Sequence, residues 1–218
     1  MHPSRRSLPF VLIALVAGCG AEGMQMVSQA KYQNVPASQR ASIEGSRAAD
    51  LKGAQADETR AVADLAAARK AAEVPGAIHA AAPTAKDKAA LTQVDRARAA
   101  WLAAGVTWRE RRLEAAQLHV MAIECARELE RAEAIDSHTS DDADAAYDTG
   151  PFRAQHGRAE EAWYVAQAKA AVARQALDRA QSALTAAKDV YATVVRDELE
   201  SEQLAAVADE PPTPHPMW

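Results

Sequence analysis

Residues 163–194 have the sequence WYVAQAKAAVARQALDRAQSALTAAKDVYATV, in which apolar residues recur every seven positions. A second apolar series follows the first by three residues. A repeat sustained over five heptads predicts a coiled-coil seam, and alanine in the seam allows close approach of a partner helix. The two series are Trp163, Ala170, Leu177, Leu184 and Tyr191, and Ala166, Ala173, Ala180, Ala187 and Val194.

A partner helix is predicted upstream, from Thr84 to about Asp136. Thr84 and Asp87 have the spacing of a capping box at its start. The predicted helix has about 50 residues and a length near 75 Å. Its larger apolar residues fall on one broad face. They are Leu91, Val94, Trp101, Leu102, Val106, Trp108, Leu113, Val120 and Ile123.

An acidic loop at 137–150 separates the two helices, and Pro151 suits the first turn of the second. Two helices of similar length joined by a short loop predict an antiparallel hairpin over 84–208. Folding about residue 145 predicts that Trp101 lies near Tyr191 and Trp108 near Leu184.

A third, shorter helix is predicted at 38–73, weakened by Gly45 and Gly53. Whether it packs on the hairpin is left open. Residues 19–37 lack a clear period and are expected to form a tether, and the proline-rich residues 209–218 are expected to be disordered. The predicted fold class is all-α: a long antiparallel coiled-coil helical hairpin with a third, shorter N-terminal helix.

The composition favours thin helices in contact. The chain has 218 residues, of which 49% are hydrophobic but only 5% aromatic, and alanine supplies most of the difference. Alanine forms helices well but buries little carbon. The net charge of −5 and the absence of a basic stripe argue against a nucleic-acid partner.

Residues 1–18 have the pattern of an export signal, with two arginines followed by nine mainly apolar residues at 8–16. This apolar run is too short to span a bilayer. The next residues, Val-Ala-Gly-Cys at 16–19, resemble the lipobox of bacterial lipoproteins. An ordinary secretory signal with a chance cysteine is the alternative.

The lipobox resemblance implies that the chain is cleaved before Cys19 and that the thiol of Cys19 carries a diacylglycerol anchor. Gly20, in place of the aspartate that favours inner-membrane retention, implies an outer-membrane location. The protein is expected to face the periplasm, with exposure at the cell surface as the alternative. The body resembles the alanine-rich helical envelope lipoproteins of unknown function.

No catalytic motif is present in the sequence, which lacks a nucleophile elbow, a zinc-protease helix motif, a phosphate-binding loop and a dinucleotide turn. We therefore expect no enzyme activity, no small-molecule substrate, no cofactor and no metal. His119 and His138 are too far apart along the chain to predict a shared ligand.

The candidate docking residues are four aspartates of the predicted loop: Asp141, Asp142, Asp144 and Asp148. They lack the spacing of a calcium loop, and a simple solvated tip is the alternative. Cys125 is interpreted either as the source of an intermolecular disulfide or as a small apolar residue under the first helix.

Four aromatic residues are interpreted either as core residues or as a binding face, and their heptad spacing favours the core. They are Trp101, Trp108, Trp163 and Tyr164. The leading functional hypothesis is a lipid-anchored helical spacer or scaffold in the periplasm. It would act with a protein partner or by self-association. The alternative is an accessory binding module or adaptor subunit of a secretion or efflux complex that docks through the hairpin tip.

Overall fold

The computed structural model describes residues 23–73, 84–139 and 146–208, with the side chains of 85 and 199–208 left aside. These residues form four helices and no strand. The helices are α1 (Gln29–Tyr32), α2 (Ala37–Glu73), α3 (Ala85–Thr139) and α4 (Gly150–Ala208). Helices α3 and α4 pack against each other as a hairpin, which confirms the predicted all-α fold class. The predicted leader at 1–18, Cys19 and the tail at 209–218 lie outside the described residues.

Helix α2 packs on the hairpin, which the sequence left open. Its buried side chains are Ala54, Ala61 and Leu65, whose spacing places them on one helical face. Beside this face, Arg112 of α3 donates a hydrogen bond to Asp64 of α2 at 2.5 Å. A narrow seam of mostly small residues therefore joins α2 to α3, and charged pairs flank it.

The start of α3 agrees with its predicted cap. The Oγ1 atom of Thr84 accepts a hydrogen bond from the backbone N–H of Asp87 at 3.2 Å. The same hydroxyl donates to Oε1 of Glu198 on α4 at 2.7 Å. One threonine thus caps α3 and ties it to α4.

The connection between α3 and α4 is shorter than the predicted loop at 137–150. Helix α3 continues to Thr139, and α4 already includes Gly150. The hydroxyls of Ser137 and Thr139 donate to backbone carbonyls one turn earlier, so these polar residues are accommodated within the helix. Residues 140–145 lie outside the described part of the chain.

The predicted seam of α4 is confirmed. Every residue of its two heptad series is buried or partly buried. The second series continues back through Ala159 to Phe152, which are both buried. In contrast, Val172 lies off the seam and is 62% exposed. The seven-residue period therefore identified the face of α4 that meets α3.

The predicted register between the two helices is wrong. The Trp108 ring lies 4.9 Å from the guanidinium of Arg174, ten positions before the expected Leu184. Leu177 instead lies beside Gly105, where an added Cβ would be 3.8 Å from Cδ1 of Leu177. Each residue of α3 thus lies beside a residue of α4 that is about two to three helical turns earlier in the sequence than expected.

The residues just before α4 give the reason for this shift. Residues 146–149 are not helical, and the N–H of Tyr147 donates to Oδ1 of Asp136 at 3.1 Å. These residues therefore run back beside α3. Non-helical chain can advance about 3.3 Å per residue, against 1.5 Å in a helix. Because of this advance, the start of α4 lies beside residues of α3 that come earlier in the sequence than a fold about residue 145 assumes.

The chain divides into two compact units. Unit 1 comprises Met1–Lys52 and Leu118–Ala162, and unit 2 comprises Gly53–Gln117 and Trp163–Trp218. No helix among the described residues is both long and apolar enough to cross a lipid bilayer. Unit 1 holds the larger continuous core cluster, made of Val27, Tyr32, Val35, Ala132, Ala134, Ile135 and Phe152.

We expect Leu177→Ala to lower the free energy of unfolding by about 2–4 kcal/mol, because it leaves a cavity in the seam. The matched change on the exposed face, Val172→Ala, should alter it by less than about 0.5 kcal/mol. Urea unfolding followed by circular dichroism compares the two variants. Equal effects would contradict the assignment of the seam.

Candidate functional site

The segment before α1 is packed against unit 1. We call residues Gly23–Ser28 the strap. The backbone N–H of Gln25 donates to Oε1 of Gln155 on α4, and the N–H of Val27 donates to Oε2 of Glu128 on α3, each at 3.0 Å. The side chain of Val27 is buried. These contacts fix the strap across both helices of the hairpin.

The predicted tether at 19–37 is therefore wrong over its described part. Val27, Tyr32 and Val35 are all buried in the core cluster of unit 1. Their side chains are large and apolar, so their burial favours packing over a solvated tether. Pro36 then marks the turn into α2, since its carbonyl accepts the N–H of Arg40 at 3.0 Å.

At the centre of this packing lies a buried carboxylate. Glu128 is 1% exposed, and its Oε1 accepts a hydrogen bond from Nη1 of Arg131 at 2.6 Å. Nε of Arg127 lies 3.8 Å from the same oxygen. Because Oε2 accepts the strap N–H of Val27, both oxygens of the carboxylate have partners. A buried charge needs this degree of compensation to be retained.

Arg131 extends the network to α1 and α2. Its Nε donates to Oε1 of Glu44 at 2.7 Å, and its guanidinium lies 5.2 Å from the centre of the Tyr32 ring. The hydroxyl of Tyr32 in turn donates to Oε1 of Glu44 at 3.3 Å. We call Glu44, Glu128, Arg131 and Tyr32 the strap network. It joins the strap, α1, α2 and α3 through charged hydrogen bonds.

The network shifts two pKa values upward. Burial raises the pKa of Tyr32, and the negative charge of Glu44 and its hydrogen bond act in the same direction. Burial alone would lower the pKa of Arg131, but the hydrogen bond with Glu44 and the charges of Glu128 and Glu44 outweigh it and raise the pKa. Near neutral pH, the phenol of Tyr32 is thus held neutral and the guanidinium of Arg131 charged.

The predicted docking tip is described in part. Asp141, Asp142 and Asp144 lie outside the described residues. Asp148 is exposed, and its Oδ1 accepts the N–H of Gly150 at 2.9 Å. Asp148 therefore satisfies a backbone donor at the start of α4, a local role that aspartate often has at helix starts.

Cys125 and His138 have different neighbours. Cys125 is buried in a cluster with Ala122 and Ala159, and Met24 of the strap packs against this cluster. It lies under the strap, whereas the sequence suggested the first helix. Nε2 of His138 is 2.9 Å from Oε1 of Gln39. Within the described ranges, no group of three or more His, Cys, Asp or Glu side chains has a metal-binding arrangement.

The aromatic residues divide between the two expectations. Trp101, Trp108 and Trp163 are partly buried, as predicted for core positions, whereas Tyr164 is 55% exposed. The rings of Trp163 and Tyr164 stack with their centres 5.0 Å apart. The Trp108 ring has cationic neighbours, with the guanidinium of Arg109 5.2 Å from its centre in addition to Arg174.

Sequence reasoning missed the strap network, although α3 carries a signal for it. Cys125, Glu128, Ala132 and Ile135 are buried at successive spacings of three, four and three residues. A charged residue at a core position of a heptad is costly without a partner. The presence of Glu128 at such a position thus indicates a buried ion pair.

Comparison of the chain with protein-family models, with curated proteins and with solved structures gave no match. The geometry of unit 1 is therefore the basis for interpretation. It joins the strap to α3 through the buried carboxylate of Glu128 and to α4 through the side chain of Gln155.

Glu128→Ala should lower the free energy of unfolding by about 3–5 kcal/mol, because it breaks a buried ion pair, leaves Glu44 as the remaining partner of Arg131 and removes the acceptor of the Val27 N–H. The exposed pair of Arg69 and Glu110 provides a control, for which Glu110→Ala should cost about 0–1 kcal/mol. Hydrogen exchange should also show faster exchange of the Val27 amide in Glu128→Ala. Unchanged protection of that amide would argue against Glu128 as its partner.

The raised pKa of Tyr32 predicts a loss of stability at alkaline pH. Its folded pKa lies above the ordinary value of 10.0, so folding favours the protonated form. This contribution is present below pH 10 and is lost as the pH rises through the folded pKa. The ultraviolet titration of tyrosine should extend to higher pH in the wild type than in Tyr32→Phe. Titration curves of the same shape at high pH for the wild type and Tyr32→Phe would contradict this prediction.

Proposed function

We propose that the protein is a lipid-anchored helical protein of the bacterial cell envelope that holds or spaces a protein partner. The observation that carries the proposal is the closeness in sequence of the lipobox-like Cys19 to the packed strap. Met24 is the fifth residue after Cys19, and it packs against the cluster of Ala122, Cys125 and Ala159 in unit 1. A lipid on Cys19 would thus be attached almost directly to the folded body.

This arrangement limits the distance between the packed strap and the membrane. Five residues span at most about 18 Å when fully extended. If Cys19 is lipidated, the site where Met24 packs lies within that distance of the membrane interface. An anchor of this kind restricts unit 1 to the membrane surface, whereas a long tether would let it diffuse through the periplasm. A fixed position is what a spacer or scaffold requires.

A face of α4 within unit 2 is suited to contact with a protein. Val165, Val172 and Val190 are 48%, 62% and 50% exposed. Their spacings of 7 and 18 residues are close to two and five helical turns, so they lie on one face. We call this face the valine stripe. It lies apart from the seam that meets α3, and we take its exposed valines as the candidate contact points for a partner helix.

The alternative, docking through the tip, predicts contacts at Asp148 instead of the valine stripe. Asp148 is exposed although one of its oxygens accepts the N–H of Gly150. Both hypotheses expect a protein partner or a second copy of the chain, but they place it on different residues. Position-specific crosslinking therefore separates them.

The experiment places a photo-crosslinking amino acid at Val172 or Asp148 of the full-length protein in native envelopes. Thr185 of α4 serves as the control position, because it is exposed and lies about 140° around the helix from Val172. We expect one discrete product from Val172 and none from Thr185. We also expect that product to be lost with Cys19→Ala, which removes the anchor.

The mass of the crosslinked product separates a partner from self-association, since a second copy doubles the mass of the chain. A product from Asp148 alone would favour the tip-docking module. A Cys19→Ala protein that stays membrane-bound and gives the same products would overturn the proposed anchor. Equal labelling at Thr185 and Val172 would overturn the proposed stripe.

A further inference from the structure

The sulfur-bearing side chains of the described residues lie in two short stretches. Met24 and Met26 belong to the strap, and Met121 and Cys125 occupy consecutive turns of α3. Met24 and Met121 both pack against the cluster that contains Cys125. Sulfur-bearing side chains from positions about 100 residues apart in sequence therefore belong to one packed cluster.

The geometry of this sulfur cluster is fixed from two sides. Residues four positions apart on a helix have neighbouring side chains, which places Met121 beside Cys125. The backbone beside Met24 is fixed because the next residue, Gln25, donates its N–H to Oε1 of Gln155. Nε2 of the same Gln155 side chain lies 3.6 Å from Sγ of Cys125. One side chain thus aligns the strap with the thiol.

The neighbours of the sulfur cluster are small and apolar. Ala122 and Ala159 are the other buried residues of the cluster, and Cys125 is 3% exposed. Carboxylates and imidazoles form no metal-binding group within the described ranges. The donors that the residues of this cluster supply are one thiol and two thioethers, which are soft ligands.

We propose that Met24, Met121 and Cys125 bind a soft monovalent metal ion, copper(I). One thiolate and two neutral thioethers match the charge and softness of copper(I). Structural zinc(II) sites instead take four thiolate, imidazole or carboxylate ligands, and calcium(II) takes oxygen ligands. On binding, the Cys125 thiol loses its proton to solvent and its sulfur forms the metal bond. The copper enters as copper(I) and is neither oxidised nor reduced. The N–H of Gln155 is placed to stabilise the thiolate.

This inference does not rest on lipidation or on the proposed partner, so either can fail without the other. The test uses the full-length chain with Cys19→Ala, which leaves Cys125 as the only cysteine. Copper(I) is titrated anaerobically against the chromophoric chelator bathocuproine disulfonate. We expect the protein to bind one equivalent of copper(I) that the chelator does not remove. We also expect the ultraviolet absorption of a copper–thiolate bond.

Methionine-to-leucine changes keep the side-chain volume and remove the donor. Met24→Leu and Met121→Leu should each weaken copper(I) binding by at least about tenfold, whereas the control Met26→Leu should change it by less than about twofold. Cys125→Ala should lose binding and the ultraviolet absorption. Circular dichroism checks that each variant folds. If Cys125→Ala does not fold, the two leucine variants alone decide the test.

The proposal is overturned if the Cys19→Ala protein withholds no copper(I), because the sulfur cluster would then serve packing alone. It is also overturned if Met24→Leu and Met121→Leu bind as tightly as Met26→Leu. Zinc(II) binding as tight as that of copper(I) would contradict the assignment of a soft site. X-ray absorption with nitrogen or oxygen in place of sulfur neighbours would place the metal elsewhere.

Discussion

The carboxylate of Glu128 is 1% exposed, and the segments of unit 1 meet at it directly or through Arg131. The strap reaches it through the N–H of Val27, and α2 through Glu44. Removing water from a charge is costly, so the partners must all be present for the site to be stable. The strap, α1, α2 and α3 are therefore joined in one network, since each supplies a hydrogen bond or a charge to it.

The parts of the fold that were predictable depend on local periodicity. The heptads of α4 identified its buried face, including Leu177 and Leu184, because residues on one helix repeat every two turns. The cap at Thr84 was predictable for the same reason, since it involves only neighbouring residues. Local rules of this kind fix which face is buried but not what it faces.

The parts that were missed depend on distant residues. The register shifted because residues 146–149 run beside α3, and only the contact of Tyr147 with Asp136 reveals that path. The strap has no periodicity, and its burial depends on Gln155 and Glu128. Of the predicted site residues, Cys19 and three of the loop aspartates lie outside the described ranges. The candidate site was therefore found from the structure, although Glu128 within a core spacing offered a sequence signal.

The separation of the strap from its partners along the chain has a consequence for biogenesis. The strap bonds join residues 130 and 101 positions apart. During synthesis from the N-terminus, the strap appears long before Glu128 and Gln155. Closing so long a loop must await the hairpin that supplies both acceptors. Docking of the strap is therefore a late step in folding, because it requires residues up to Gln155 to be present.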